Sequence, residues 1–160
     1  MDMPANIAHA ETTPLAGEYI QRRYGVIAGG LHLLLPQGVS AELLHDQALT
    51  RILLAPPALR GVANVRGTLL PVFDLAKLIA APASSEEQVL MLGNHPEALG
   101  LLVQGFPLPL TGLQALAKGQ VPELLQPYLR SAWQQQEQHW FDIDLLQLFR
   151  DLAALKTHKE

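Results

Sequence analysis

The sequence predicts a mainly β protein that closes with one α-helix. Turn signals recur about every ten residues, and the runs between them are short and apolar. Only beyond residue 144 does the apolar spacing change to that of a helix. This rhythm is that of a small barrel or sandwich. With 160 residues, 49% of them hydrophobic, the chain has material for one core or two small fused ones in a single globular unit.

Residues 1–18 are rich in Ala, Thr and Pro and lack the basic start and apolar centre of a secretion signal, so they read as a disordered lead-in. Tyr24–Ala28 and Leu31–Leu35 flank Gly29-Gly30, a pair that tolerates the positive φ angles of a two-residue hairpin turn. Val39–Leu44 continues as a strand, and Pro56-Pro57 breaks the chain after Arg51-Ile52-Leu53-Leu54. Residues 59–75 form a second hairpin: Gly61 and Gly67 bracket its first run, Asn64 and Arg66 place polar groups near the turn, and Pro71 suits an edge strand. Leu75–Ile79 reads as one helical turn and 81–87 as a solvated linker. Gln88–Leu92 and Leu99–Phe106 read as strands joined across Gly93-Asn94-His95-Pro96.

The stretch 107–127 carries four Pro and two Gly, which predicts a loop with one helical turn near Gln114–Ala117. Tyr128–Trp133 and His139–Ile143 make a last hairpin, with Trp140 and Phe141 pointing to opposite faces. Leu145, Leu146, Leu148, Phe149, Leu152 and Leu155 then recur at helical spacing, with Asp144 as the N-cap and 157–160 as a tail.

Composition narrows the function. A formal net charge of −4, with basic residues scattered from Arg22 to Lys159, offers no stripe to neutralise phosphates, so nucleic acid is not an expected partner. No run approaches the roughly 18 apolar residues of a membrane helix, so no membrane insertion is expected. The absence of cysteine excludes disulfides and thiolate chemistry and suits a cytoplasmic setting.

Candidate chemistry is sparse. The six histidines show no i, i+4 pairing and no acidic companions at metal-site spacing, so no metal or cofactor is expected. Asp142 and Asp144 could stand as two carboxylates on one strand face, but an acidic helix start explains them more simply. The glycines match neither a P-loop nor a dinucleotide fingerprint, and the serines sit in no nucleophile elbow. Arg66 has two readings: a turn cap that pairs with Asp74 across the hairpin, or a contact for a partner. A small-ligand regulator remains as the alternative function, its barrel cavity lined by Trp133, Trp140 and Tyr128.

The order Gly61-Val62-x-Asn64-x-Arg66-Gly67, followed by Leu70-Pro71-Val72-x-Asp74-Leu75, resembles the signature of CheW-like adaptor domains. These are small coupling proteins that link chemoreceptors to a histidine kinase in bacterial chemosensory arrays. The resemblance extends over about 19–156: Leu35-Pro36, Val39–Leu44 with its acidic Glu42, Ala55-Pro56-Pro57, the strand 99–103 and the closing unit 141–152 follow in the family's order. It implies two intertwined five-stranded SH3-like β-barrels with a C-terminal helix, and no enzymatic activity. It further implies a scaffold between the cytoplasmic tip of a methyl-accepting chemoreceptor and the regulatory domain of a CheA-type histidine kinase. In that family the groove between the barrels takes the receptor and barrel ends meet the kinase. Carried over by motif, the partner-binding residues are Glu42, Gly61, Asn64, Arg66 and Gly67. Three departures point to an alternative chemosensory system, such as one driving type IV pili and twitching motility. Gln104 stands where an acid is common, the helix after Leu75 is short, and the surface is poor in charge.

Overall fold

The computed structural model describes residues 19–83 and 86–158. The expected lead-in 1–18, Ser84 and Ser85 of the linker, residues 159–160 of the tail and the side chain of Leu155 lie outside the described residues. Within them run β1 (Tyr19–Ala28), β2 (Leu31–Leu34), β3 (Ala41–Leu44), β4 (Leu59–Val65), β5 (Thr68–Phe73), α1 (Leu75–Leu78), β6 (Glu87–Leu92), β7 (Leu99–Leu116), a 3-10 helix (Glu123–Tyr128), β8 (Leu129–Gln135), β9 (Gln138–Ile143) and α2 (Leu145–His158).

Five strands close into barrel one. The first strand pairs with β2, β2 with β9 in parallel, β9 with β8, β8 with the end of β7, and β7 returns to β1. Barrel two takes the intervening chain, in the order β3, β6, the start of β7, β5 and β4. Because barrel two is inserted between β2 and the second half of β7, the barrels are intertwined, and β7 belongs to both. Its crossing point is Gln104, which pairs with Glu87 in barrel two and with Ile27 in barrel one.

The long β7 corrects the first half of the expected loop at 107–127, where residues 107–116 are strand, and the helical turn at Gln114–Ala117, three of whose four residues are strand. Gly105 (φ +74°) and Gly112 (φ +70°) let the strand bend between barrels. Between Gly105 and Leu113 it pairs only with β1, and a one-sided edge tolerates Pro107 and Pro109. The only helical part of that stretch lies later, in the 3-10 turn.

Three apolar cores follow. Leu34, Leu110, Leu113, Ala115, Trp133 and Trp140 fill barrel one. Ala63, Val65, Leu70, Val72, Val89 and Leu102 lie within barrel two. A larger core joins residues of both barrels and α2, where Phe73 and Phe149 stack at 4.2 Å. Trp140 and Phe141 do diverge, one into the barrel interior and one into this shared core. As expected, α2 closes the structure: Asp144 Oδ1 accepts from the Gln147 N–H at 3.1 Å and caps it. Arg23, almost fully buried, donates to the Leu35 carbonyl at 2.6 Å and faces Asp142 at 3.5 Å, tying β1 to β9. Desolvation holds its pKa below the ordinary value, with Asp142 opposing.

Candidate functional site

Barrel two is not closed by backbone alone. Its first and last strands in ring order, β3 and β4, share no ladder, and the seam between them is bridged in three other ways. Thr50 exchanges two backbone hydrogen bonds with Val62, at 2.8 and 2.9 Å. Gln47 Nε2 donates to the Asn64 carbonyl at 3.3 Å. At the open end, Arg66 grips Glu42 with both guanidinium arms, Nη1 to Oε2 at 3.2 Å and Nη2 to Oε1 at 3.0 Å.

The β4–β5 turn aims Arg66 at β3. Val65 pairs with Thr68, leaving Arg66-Gly67 as a two-residue loop with φ +51° and +87°. Positive φ at both positions is the type I′ turn that matches the twist of paired strands. Asn64 Oδ1 accepts from the Gly67 N–H at 2.9 Å and holds the turn from one side. Glu42 projects from β3, opposite Met91 on β6. Hydrogen bonding from Arg66 holds the Glu42 carboxyl below its ordinary range, and the same bond raises the Arg66 pKa. Both side chains remain well exposed, so the clamp is accessible to a partner.

Four of the five residues singled out from the motif, Glu42, Asn64, Arg66 and Gly67, therefore lie together at one end of barrel two. Gly61 lies apart, next to the Thr50 bridge, where an added Cβ would stand 2.7 Å from the Thr50 carbonyl oxygen. The pairing of Arg66 with Asp74 is corrected. Asp74 is buried, caps α1 through the Ala76 N–H at 3.0 Å, and faces Arg60 at 3.6 Å. Arg60 also reaches Glu87 at 2.7 Å, a contact that sequence reading missed because 27 residues separate the pair.

The other candidates resolve as structure. Asp142 pairs with Arg23 and Asp144 with Arg130, so each carboxylate serves its own cation. Trp133 and Trp140, at 2% and 3% exposure, fill the space assigned to a ligand, while Tyr128 donates to Asp151 at 2.6 Å outside that core. Among the described residues, no group of three or more His, Asp or Glu is placed to hold a metal ion, and no helix is long and apolar enough to cross a membrane.

One surface went unread in the sequence. Phe106 and Leu108 stand 61% and 46% exposed where β7 crosses between the barrels; Tyr24, 47% exposed on β1, pairs with Pro109 and so lies on the other face of the ladder from Leu108, which pairs with Gly25. Of these, Leu108 alone fell in the stretch 107–127 expected as loop, because Pro107 and Pro109 flank it.

Residues 25–153 match the CheW-like domain family. The chain belongs to the CheW-like family. It is 30% identical over 128 residues to the protein PilI of Pseudomonas aeruginosa, an alignment covering 72% of this chain and 68% of that protein. Its fold resembles the crystal structure of the scaffolding protein TtCheW from Thermoanaerobacter tengcongensis, with a TM-score of 0.66 at 17% identity. That match covers 81% of this chain and 92% of the other. The two five-stranded barrels are thus the SH3-like barrels of a CheW-like fold. As a CheW-like protein, the chain is a non-enzymatic scaffold and a chemosensory coupling protein.

Proposed function

We propose that this CheW-like protein couples the cytoplasmic tip of a methyl-accepting chemoreceptor to the regulatory domain of a CheA-type histidine kinase, in the cytoplasm, within a chemosensory system that drives type IV pili. The observation that carries this reading is the exposed Arg66–Glu42 clamp at the end of barrel two. It is a preformed charged surface with no catalytic group beside it. Glu42, Asn64, Arg66 and Gly67 offer a donor fork, an acceptor and a turn with no Cβ at its tip, which suits close approach by another protein. Gly61 enters as the residue that lets β4 lie against Thr50 and so sets the clamp's position. The exposed Phe106 and Leu108, at the crossing between barrels, suit the apolar face of a helical receptor tip. Assignment to pili follows the likeness to PilI.

The test is a pull-down from the native cytoplasm with the wild type beside Arg66→Ala and Phe106→Ser. Recovery of a histidine kinase and a chemoreceptor by the wild type, with the kinase lost in Arg66→Ala and the receptor lost in Phe106→Ser, is the expected result. Recovery of neither partner by the wild type overturns the coupling role, and recovery of only a flagellar-type kinase overturns the pilus assignment.

A further inference from the structure

Two apolar features of this chain lie uncovered, and they have opposite shapes. The first is a tip. Between Thr50 and Leu59 the chain turns out of barrel two and exposes Leu53 and Leu54 at 90% and 84%, with Ile52 beside them. The tip is pinned at both ends, by the Thr50–Val62 bridge and by the Ala58 carbonyl, which accepts from the Asp74 N–H at 2.7 Å. Leu54 (φ +55°) and Ala58 (φ +70°) hold left-handed backbone, a strain that clusters at binding segments. Arg51 is exposed with no ion-pair partner among the described residues, and no acid occurs from 47 to 73, so the tip is positive. The second is a groove of about 440 Å³ between the 3-10 helix and α2, walled by Leu124, Pro127, Tyr128, Leu148 and Leu152. Asp151 also lines it, and hydrogen bonds from Tyr128 at 2.6 Å and Gln147 at 2.8 Å keep its carboxylate ionised. Glu123 stands exposed at the start of the 3-10 helix, while Arg150 is bonded to Gln147 outside the lining.

We infer that the Leu53-Leu54 tip of one copy of this chain seats in the α2 groove of a second copy. Two leucines exposed side by side on a pinned loop are apolar surface held ready for burial, and the groove offers aliphatic and aromatic walls to bury it. Charge agrees with shape, since Arg51 accompanies the tip while Asp151 and Glu123 accompany the groove. Within one chain the two do not meet: no residue of the tip lines the groove, and the leucines stand almost wholly in solvent. Tip and groove are different surfaces, so each contact leaves one of each free, and copies join head to tail into a growing chain or a closed ring. Neither surface includes Glu42 or Arg66, so the clamp stays open to other partners in such an assembly.

The inference is tested on the purified full chain without any partner, so its outcome is separate from that of the coupling role. Analytical ultracentrifugation follows the chain from about 10 μM to about 1 mM, the range suited to a small contact. The expected result is a mass that rises reversibly with concentration beyond that of a dimer. The double variant Leu53→Ser, Leu54→Ser removes the tip, and Leu124→Glu places a charge in the groove. Each should remain a monomer, and because all three positions are exposed, circular dichroism and melting should match the wild type. Mixed together, the two variants should form a one-to-one dimer and stop there, because the first keeps its groove and the second its tip. A wild type that stays monomeric throughout or stops at a dimer overturns the inference, and so does a mixture that forms no dimer. A monomeric wild type whose tip variant loses kinase capture gives the tip to that partner and overturns it as well.

Discussion

Replacing Gly61 by Ala separates a structural from a partner-contacting role for that residue. The new Cβ would stand 2.7 Å from the Thr50 carbonyl oxygen and 3.2 Å from its carbon, about 0.7 Å inside the 3.4 Å at which ordinary contact begins. Both neighbours are backbone, so no flexible side chain can swing away. The strain falls on the Thr50–Val62 bridge, whose two hydrogen bonds of 2.8 and 2.9 Å each contribute about 0.5–1.5 kcal/mol. Losing the bridge costs about 1–3 kcal/mol, and the reduced entropy of the unfolded chain returns about 0.4–1 kcal/mol. The net loss of up to about 2.6 kcal/mol lowers the melting midpoint by up to roughly 10 °C in a chain of this size. Urea and thermal unfolding give the stability, and kinase capture by the folded variant gives the function. An unchanged melting midpoint with lost capture would refute the packing argument and return Gly61 to the interface.

Three further perturbations follow from the same geometry. Arg66→Ala should leave the melting midpoint nearly unchanged, because the pair is exposed, while partner capture falls about tenfold or more; a large stability loss would make the clamp structural instead. In that variant the Glu42 carboxyl should titrate at higher pH than in the wild type. Its folded pKa is depressed, so the clamp's contribution is present above the ordinary carboxylate range and lost as pH falls through the depressed value, which carboxyl-carbon NMR can follow. Phe149→Ala removes the ring stacked on Phe73 in the shared core and should destabilise by about 3–5 kcal/mol in denaturant unfolding. Asp144→Ala uncaps α2 and should cost about 0.5–2 kcal/mol by the same assay, with Asp144→Asn recovering most of it.

Local signals in this sequence were legible, and closures between distant residues were not. Gly29-Gly30 and Arg66-Gly67 marked their turns because positive φ selects residue type within two positions. The apolar spacing of α2 and its Asp144 cap were equally local. The continuation of β7 was hidden because Pro107, Pro109, Gly105 and Gly112 break strands in general. They are tolerated here only because β1 alone pairs with that stretch, a fact of tertiary arrangement. Arg60 with Glu87 and Arg23 with Asp142 lie 27 and 119 positions apart, beyond any periodicity. Glu42 was found through its family motif, while its bond to Arg66 needed the structure, since the nearest acid in the hairpin itself is Asp74.

The two barrels differ in what holds them shut, and that difference explains why the candidate site lies on the second. Barrel one is ringed by backbone ladders at every junction, and its interior is filled by two tryptophans, so contacts made on its rim leave its closure intact. Barrel two has ladders at four junctions and relies at the fifth on the Thr50 bridge, the Gln47 contact and the Arg66–Glu42 pair. A partner carboxylate that takes Arg66, or a partner cation that takes Glu42, replaces an exposed ion pair by another of similar kind, so the exchange requires little reorganisation. The turn itself stays fixed, because the Asn64 bond to Gly67 and the β4–β5 ladder do not depend on the clamp. Barrel two thus presents a charged fork on a rigid hairpin whose intramolecular partner is replaceable, which is the arrangement a coupling scaffold requires at a reversible interface.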